Sequence, residues 1–243
     1  MVGCRLNGGM GNQMFQIAAT IGLAIKNNTD YKVHPVNLAF NRKNIFSHFP
    51  ILQDSEIAFN YNEPAFTYND IPYQDKMCLN GYFQSYKYFE HCRNEILDAF
   101  RLKYEMNKGV VSIHVRRGDY LCTPDYHPVV TVAYLTKAMN YFIKKGYEKF
   151  MVFSDALDWI KYNVDAKNLP LCNIEYSEGM TELQDIERQA NCEHQIIANS
   201  SFSWWAAWLN QNPEKFVISP SLWFGKSANN DTKDLVMEKW LRL

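Results

Sequence analysis

Apolar positions along the chain come in short runs separated by polar, glycine-containing turns. Residues 2–6 form a brief apolar strand, Asn7-Gly8-Gly9-Met10-Gly11-Asn12 a loop, and residues 13–26 an apolar run with helical spacing. From position 31 to 108 the pattern is irregular: aromatics are frequent, prolines stand at 35, 50, 64 and 72, and a compact aromatic run lies at Tyr82, Phe83, Tyr86, Tyr88 and Phe89. Beyond Gly109 the pattern becomes regular. It predicts strands at 110–116, 149–154, 171–176, 195–198 and 216–219, and helices at 132–145, 156–162, 181–192 and 202–210. Thr181-x-x-Gln184 supplies a capping box for the third of these helices. Strict alternation of short apolar strands with helices predicts a parallel α/β sheet, and the change of pattern near Lys108 divides the chain into domains at 1–108 and 109–243.

Composition narrows the function classes. In 243 residues, 47% are apolar and 21% charged, ordinary globular values that exclude extensive disorder. Aromatics make up 15%, enough for a dense core or for stacking sites on sugars and bases. A formal charge of −1 leaves no excess of basic charge for a nucleic-acid backbone, so any anion must be held locally. No stretch approaches the length of a membrane span, and the first residues lack the apolar centre of a signal peptide, so a soluble, cytoplasmic protein is expected. Six scattered cysteines without a C-x-x-C pair suggest neither a zinc site nor a disulfide framework. No D-x-D tripeptide is present to hold a divalent ion on a sugar nucleotide, and no G-x-S-x-G elbow.

Four segments could carry chemistry. The 7–12 loop follows a strand and opens a helix, which brings backbone N–H groups close to a ligand; equally, it could be a tight turn alone. His114-Val115-Arg116-Arg117-Gly118-Asp119-Tyr120 stands where a strand runs out, the edge at which open α/β sheets bind ligands. Two adjacent guanidinium groups there suit a phosphate or diphosphate, and the alternative is pairing with carboxylates such as Asp119 around a core His114. Asp155 ends the next strand as a ribose or base acceptor, or as a helix cap. Finally, Asn199-Ser200-Ser201-Phe202-Ser203 precedes a helix with three tryptophans. Its hydroxyls and helix N–H groups could ring an oxyanion, while Trp204 and Trp208, four residues apart, are core or sugar platforms.

In combination these segments resemble glycosyltransferase family 11, the α-1,2-fucosyltransferases. The resemblance rests on positions 8–16, the H-x-R-R-G-D-Y run, Phe153-Ser154-Asp155, the 198–209 segment, Gly81-Tyr82-Phe83-Gln84-Ser85, and Pro220 with Trp223-Phe224. It implies a GT-B-like pair of Rossmann-like domains facing across a cleft, the first serving the acceptor and the second the donor. It also implies GDP-β-L-fucose as donor, inverting transfer to the 2-hydroxyl of a terminal galactose, and no metal or other cofactor. A lipid-linked acceptor would bring the protein to a membrane surface without spanning it. Carried onto this sequence, Arg116 would hold the β-phosphate with Arg117 in support, and His114 and Asp155 would face the guanosine. Asn199, Ser200, Ser201, Phe202 and Ser203 would complete the donor site, with Gly9, Gly11, Asn12 and Gln13 in the loop beside donor or acceptor. Asp119 is the candidate base. The chain departs from the family in having Ala156 where a second acid often follows Ser-Asp, and in its shortness, placed in the N-terminal half.

Overall fold

The computed structural model describes residues 1–34, 46–164 and 172–243; Pro35 and Leu171 lie outside them. The chain forms two compact units, Met1–Leu102 with Asp231–Met237, and Lys103–Asn230 with Glu238–Leu243. The division at Lys108 read from hydropathy falls inside the first strand of the second unit, and the 231–237 segment returns to the first.

The first unit is built on a parallel sheet of β1 (Val2–Arg5), β2 (Tyr31–His34), β3 (Phe59–Asn62) and β4 (Met77–Asn80) in the order β2-β1-β4-β3. Helix α1 (Met10–Lys26) starts earlier than its apolar run, at Met10, because Gly9 serves as its N-cap. It is buried on nearly every side, as an apolar helix without a polar face must be. Gly22 lets the chain pass close by: a Cβ there would lie 2.2 Å from the Tyr88 carbonyl oxygen of the 3₁₀ turn Tyr86–Tyr88. The interval that reads as irregular thus holds β2, β3, β4 and α2 (Arg93–Phe100). These strands have only four residues each, and β3 is largely exposed, so no sustained alternation marks them.

The second unit carries a six-stranded parallel sheet. Its strands are β5 (Asn107–Val115), β6 (Lys149–Ser154), β7 (Asn173–Tyr176), β8 (Cys192–Ile196), β9 (Val217–Ser219) and β10 (Leu241–Arg242), in the order β10-β9-β8-β5-β6-β7. Between them run α3 (Val132–Ile143), α4 (Leu157–Asn163), α5 (Glu182–Asn191) and α6 (Ser201–Leu209). The Thr181–Gln184 capping box at the start of α5 is formed in both directions. The core joins Val111, Ile113 and Val115 of β5 to Leu135, Met139 and Phe142 of α3 and to Phe150 and Val152 of β6. The strand read at 195–198 is β8, displaced toward Cys192, and the short β10 has no counterpart in the hydropathy pattern.

In both sheets the chain reverses direction beside its first strand. From β5 it proceeds outward through β6 and β7, then returns to the other flank of β5 as β8. In the first unit β2 lies on one side of β1 and β4 on the other. Such reversal points leave a crevice at the carboxyl ends of the two central strands, where loops diverge and backbone groups are not consumed by the sheet.

Candidate functional site

At the reversal point of the second unit, the loop leaving β5 meets the loop leaving β8. Tyr120 binds them, its hydroxyl donating to the Asn199 carbonyl at 3.0 Å while its ring stacks on His127 with centroids 4.4 Å apart. Burial pushes the Tyr120 phenol up to about 12, so it remains a donor at neutral pH. The Asn199 side chain is itself buried, and its Nδ2 donates to the carbonyls of Pro128 and Trp223, both at 2.9 Å. The sequence places Tyr120 within a motif and Asn199 among the donor-site residues, but marks neither as a pin between loops. A phenol at the end of H-x-R-R-G-D-Y is the signal that could have indicated the first.

Arg116 stands just beyond β5 with its guanidinium between two carboxylates. Its Nε and NH2 donate to Asp119 Oδ1 at 2.9 and 2.7 Å, and NH1 lies 3.0 Å from Asp155 Oδ2. Asp155 Oδ1 accepts the Arg117 backbone N–H at 2.9 Å. The Arg117 guanidinium lies over the Trp159 ring at 3.7 Å, which holds a cation at this edge without neutralising it. Beyond β8, the neighbour of β5 in the sheet, Ser200 caps α6 and accepts the Phe202 N–H, with Ser201 following in the first helical turn. The amino end of α6 adds the partial positive charge of a helix N-terminus. Arg116, Arg117, Asp119, Asp155, Asn199, Ser200, Ser201 and Phe202 therefore share one sheet edge.

Ser203 does not join them. It is fully buried, and its hydroxyl donates to the Ala198 and Ser200 carbonyls at 3.4 Å, so its part is to tighten the start of α6. His114 lies beneath the edge rather than on it. Its ring is 5.5 Å from that of Phe202, and its buried Nδ1 has no hydrogen-bond partner among the described residues. Burial, followed by the Arg116 charge, pushes the imidazole down to about 3. Native His114 thus stays neutral where the unfolded chain binds a proton, and stability is expected to fall as pH drops below the unfolded pKa of 6.5. Between neutral pH and about pH 5 the loss should be about 2 kcal/mol for this residue. Urea unfolding of the wild type and of His114→Gln at both pH values measures it as the difference in slope.

In the first unit, the glycine loop stands at the corresponding reversal point between β1 and β4. Its polar side chains are mostly turned inward. Gln13 Nε2 donates to the Gly8 carbonyl at 2.9 Å; Gln16 accepts the Asn7 N–H at 2.9 Å and donates to the Gly81 carbonyl at 3.0 Å. Asn12 Oδ1 accepts from Gln84 at 2.8 Å. Gly8 takes a φ of 77°, a left-handed turn that favours glycine. Gly9 is the N-cap of α1 and Gly11 its second residue, and the start of the helix is stapled to residues 81–84 by the Gln16–Gly81 and Asn12–Gln84 bonds.

Among the described residues, no three His, Cys, Asp or Glu side chains gather as a metal site, and no helix is long and apolar enough to cross a membrane. Cys4, Cys78, Cys92 and Cys192 are buried, and Cys122 is exposed.

The model of glycosyl transferase family 11 matches residues 1–242. The chain belongs to glycosyltransferase family 11. Among family relatives, the O-antigen biosynthesis glycosyltransferase WbnK of Escherichia coli is 27% identical over 98% of this chain and 99% of its own length. The alpha-1,2-colitosyltransferase of Escherichia coli is 28% identical over 100% and 99%. Human galactoside alpha-(1,2)-fucosyltransferase 1 is 26% identical over 84% of this chain and 64% of its own. The crystal structure of POFUT1 in complex with GDP-fucose has the same fold, with a TM-score of 0.53 over 90% of this chain and 97% of that one at 11% identity. The α/β architecture with parallel sheets, expected from the alternation of elements, is thus shared with that structure.

Proposed function

We propose that this family 11 chain is an inverting transferase that moves L-fucose from GDP-β-L-fucose to the 2-hydroxyl of a terminal galactose, forming an α-1,2 linkage. The observation that carries the donor half of this reading is the reversal point of the second sheet. There two guanidinium groups, Arg116 between Asp119 and Asp155 and Arg117 over the Trp159 ring, stand at one sheet edge with the amino end of α6, the arrangement that suits a diphosphate. Arg116 offers N–H groups to the β-phosphate, Arg117 supports it, and Ser200, Ser201 and the first N–H groups of α6 complete the cradle. Asp155, Asn199 and Phe202 frame the nucleoside side, with His114 beneath as a neutral support. The α-1,2 linkage is favoured by relatives whose names carry that linkage on two different sugars. The first unit is assigned to the acceptor and the cytoplasm to the reaction.

In the transfer, the 2-hydroxyl oxygen bonds to the anomeric carbon as the bond to the β-phosphate oxygen breaks and its electron pair leaves with GDP. The transition state is oxocarbenium-like, with negative charge growing on the departing diphosphate. Guanidinium and helix N–H groups fixed at that oxygen stabilise the growing charge without reorganising. The hydroxyl proton must pass to a base on the opposite face of the sugar.

The deciding experiment measures GDP release from GDP-fucose, GDP-mannose and UDP-galactose, with lactose and N-acetyllactosamine as acceptors. Release from GDP-fucose that is stimulated by acceptor, with an α-1,2 product, is the expected result. GDP-colitose belongs in the panel because an α-1,2-colitosyltransferase aligns over the whole chain; preference for it would move the donor while keeping the linkage. With the positive charge assigned to arginines and a helix end, a strong chelator is expected to leave the rate unchanged, and a loss beyond about tenfold would overturn that assignment.

A further inference from the structure

We propose that the Asp119 carboxylate occupies, on the Arg116 guanidinium, the place taken by the donor's diphosphate, and that it is a displaceable partner of Arg116 rather than the base for the acceptor. This rests on the GDP-sugar reading of the site. The two carboxylates on Arg116 are held in different ways. Asp155 uses both oxygens, one on the Arg117 N–H and one on Arg116 NH1, and its side chain is 25% exposed. Gly118 closes over it so tightly that a Cβ there would lie 2.5 Å from Oδ2. Asp119 is 68% exposed and receives both Nε and NH2 of Arg116 on Oδ1.

Nε and NH2 form the edge of a guanidinium that grips two oxygens of a phosphate side by side. Here both converge on a single oxygen, so the fork is only half matched. A diphosphate brings more charge and more oxygens to that edge than one solvated carboxylate, and an exposed pair of this kind is weak. Exchange of Asp119 for the diphosphate would leave Asp155 still holding NH1, so the guanidinium keeps its orientation. The same geometry argues against Asp119 as base. In an inverting displacement, the base and the departing phosphate stand on opposite faces of the anomeric carbon. A carboxylate on the phosphate-gripping edge of Arg116 stands on the leaving side. Its consequence for the cycle is competition: Asp119 neutralises Arg116 between turnovers and favours departure of product GDP.

Calorimetric titration of GDP into the full chain tests this with three variants. Asp119→Asn should bind GDP about two- to fivefold more tightly than the wild type, the range expected from removing one exposed competing pair. Asp155→Asn should bind it more weakly, since Arg116 loses its anchor. Asp158→Asn removes a charge from the first turn of α4 that is not paired with Arg116, and should leave the affinity within about twofold if the gain in Asp119→Asn comes from the exchange and not from net charge. Under single-turnover conditions with GDP-fucose and lactose, Asp119→Asn should keep a rate within a few-fold of the wild type. The inference is overturned if Asp119→Asn binds GDP no more tightly than Asp158→Asn does. It is equally overturned if its single-turnover rate collapses at unchanged affinity, the behaviour of a base. Failure of the wild type to bind GDP would instead remove the donor reading itself, and this inference with it.

Discussion

Arg116→Ala is expected to lower transfer from GDP-fucose by about two orders of magnitude or more, a loss of roughly 3 kcal/mol in transition-state stabilisation, while the fold stays intact. The size follows from where the charge develops. Negative charge grows on the diphosphate as the glycosidic bond breaks, and in a chain of net charge −1 no general positive field substitutes for a missing guanidinium. The fold survives because the carboxylates left behind are not stranded. Asp119 is 68% exposed, and Asp155 retains the Arg117 N–H at 2.9 Å. The stability change should therefore remain within about 1 kcal/mol, as for an exposed ion pair. Steady-state rates with GDP-fucose and lactose, beside urea unfolding, separate the two effects. Near-normal turnover in the variant would remove Arg116 from the reaction, and a large loss of stability would make its role structural. Arg116→Lys keeps the charge but not the planar fork, and an intermediate rate is expected.

Trp204→Ala is expected to cost about 3–5 kcal/mol of stability, a large share of the 5–15 kcal/mol by which a domain is ordinarily stable. Trp204 is fully buried, and its ring meets those of Trp205, Trp208 and Trp240 at centroid distances of 5.2, 6.3 and 5.6 Å. Truncation leaves a cavity that a rigid ring cluster cannot collapse to fill. Urea unfolding gives the loss directly, and Trp204→Phe should recover part of it. An unchanged midpoint together with lost acceptor binding would revive the sugar-platform alternative that helical spacing leaves open. Burial of all three α6 tryptophans is what decides for the core.

The amino-acid sequence by itself determined the alternation of strand and helix after Gly109, and with it a parallel sheet, because regular apolar runs of contrasting period are properties of the chain. It also determined which chemistry was present. Arg116, Arg117, Asp155 and Ser200 stand out because charged or capping side chains at strand ends and helix starts are local signals, legible without a fold. Their partners are not local. Arg116 meets Asp155 and Tyr120 meets Asn199 only because β6 and β8 both flank β5. Ser203, which resembles its neighbours in sequence, is turned into the core by the phase of α6, while Gln13 and Gln16 are drawn inward by carbonyls of the chain they staple. The four-residue strands of the first unit were hidden for a related reason. A strand so short carries too few side chains to display a period, and its assignment as strand is made by the neighbour that pairs with it.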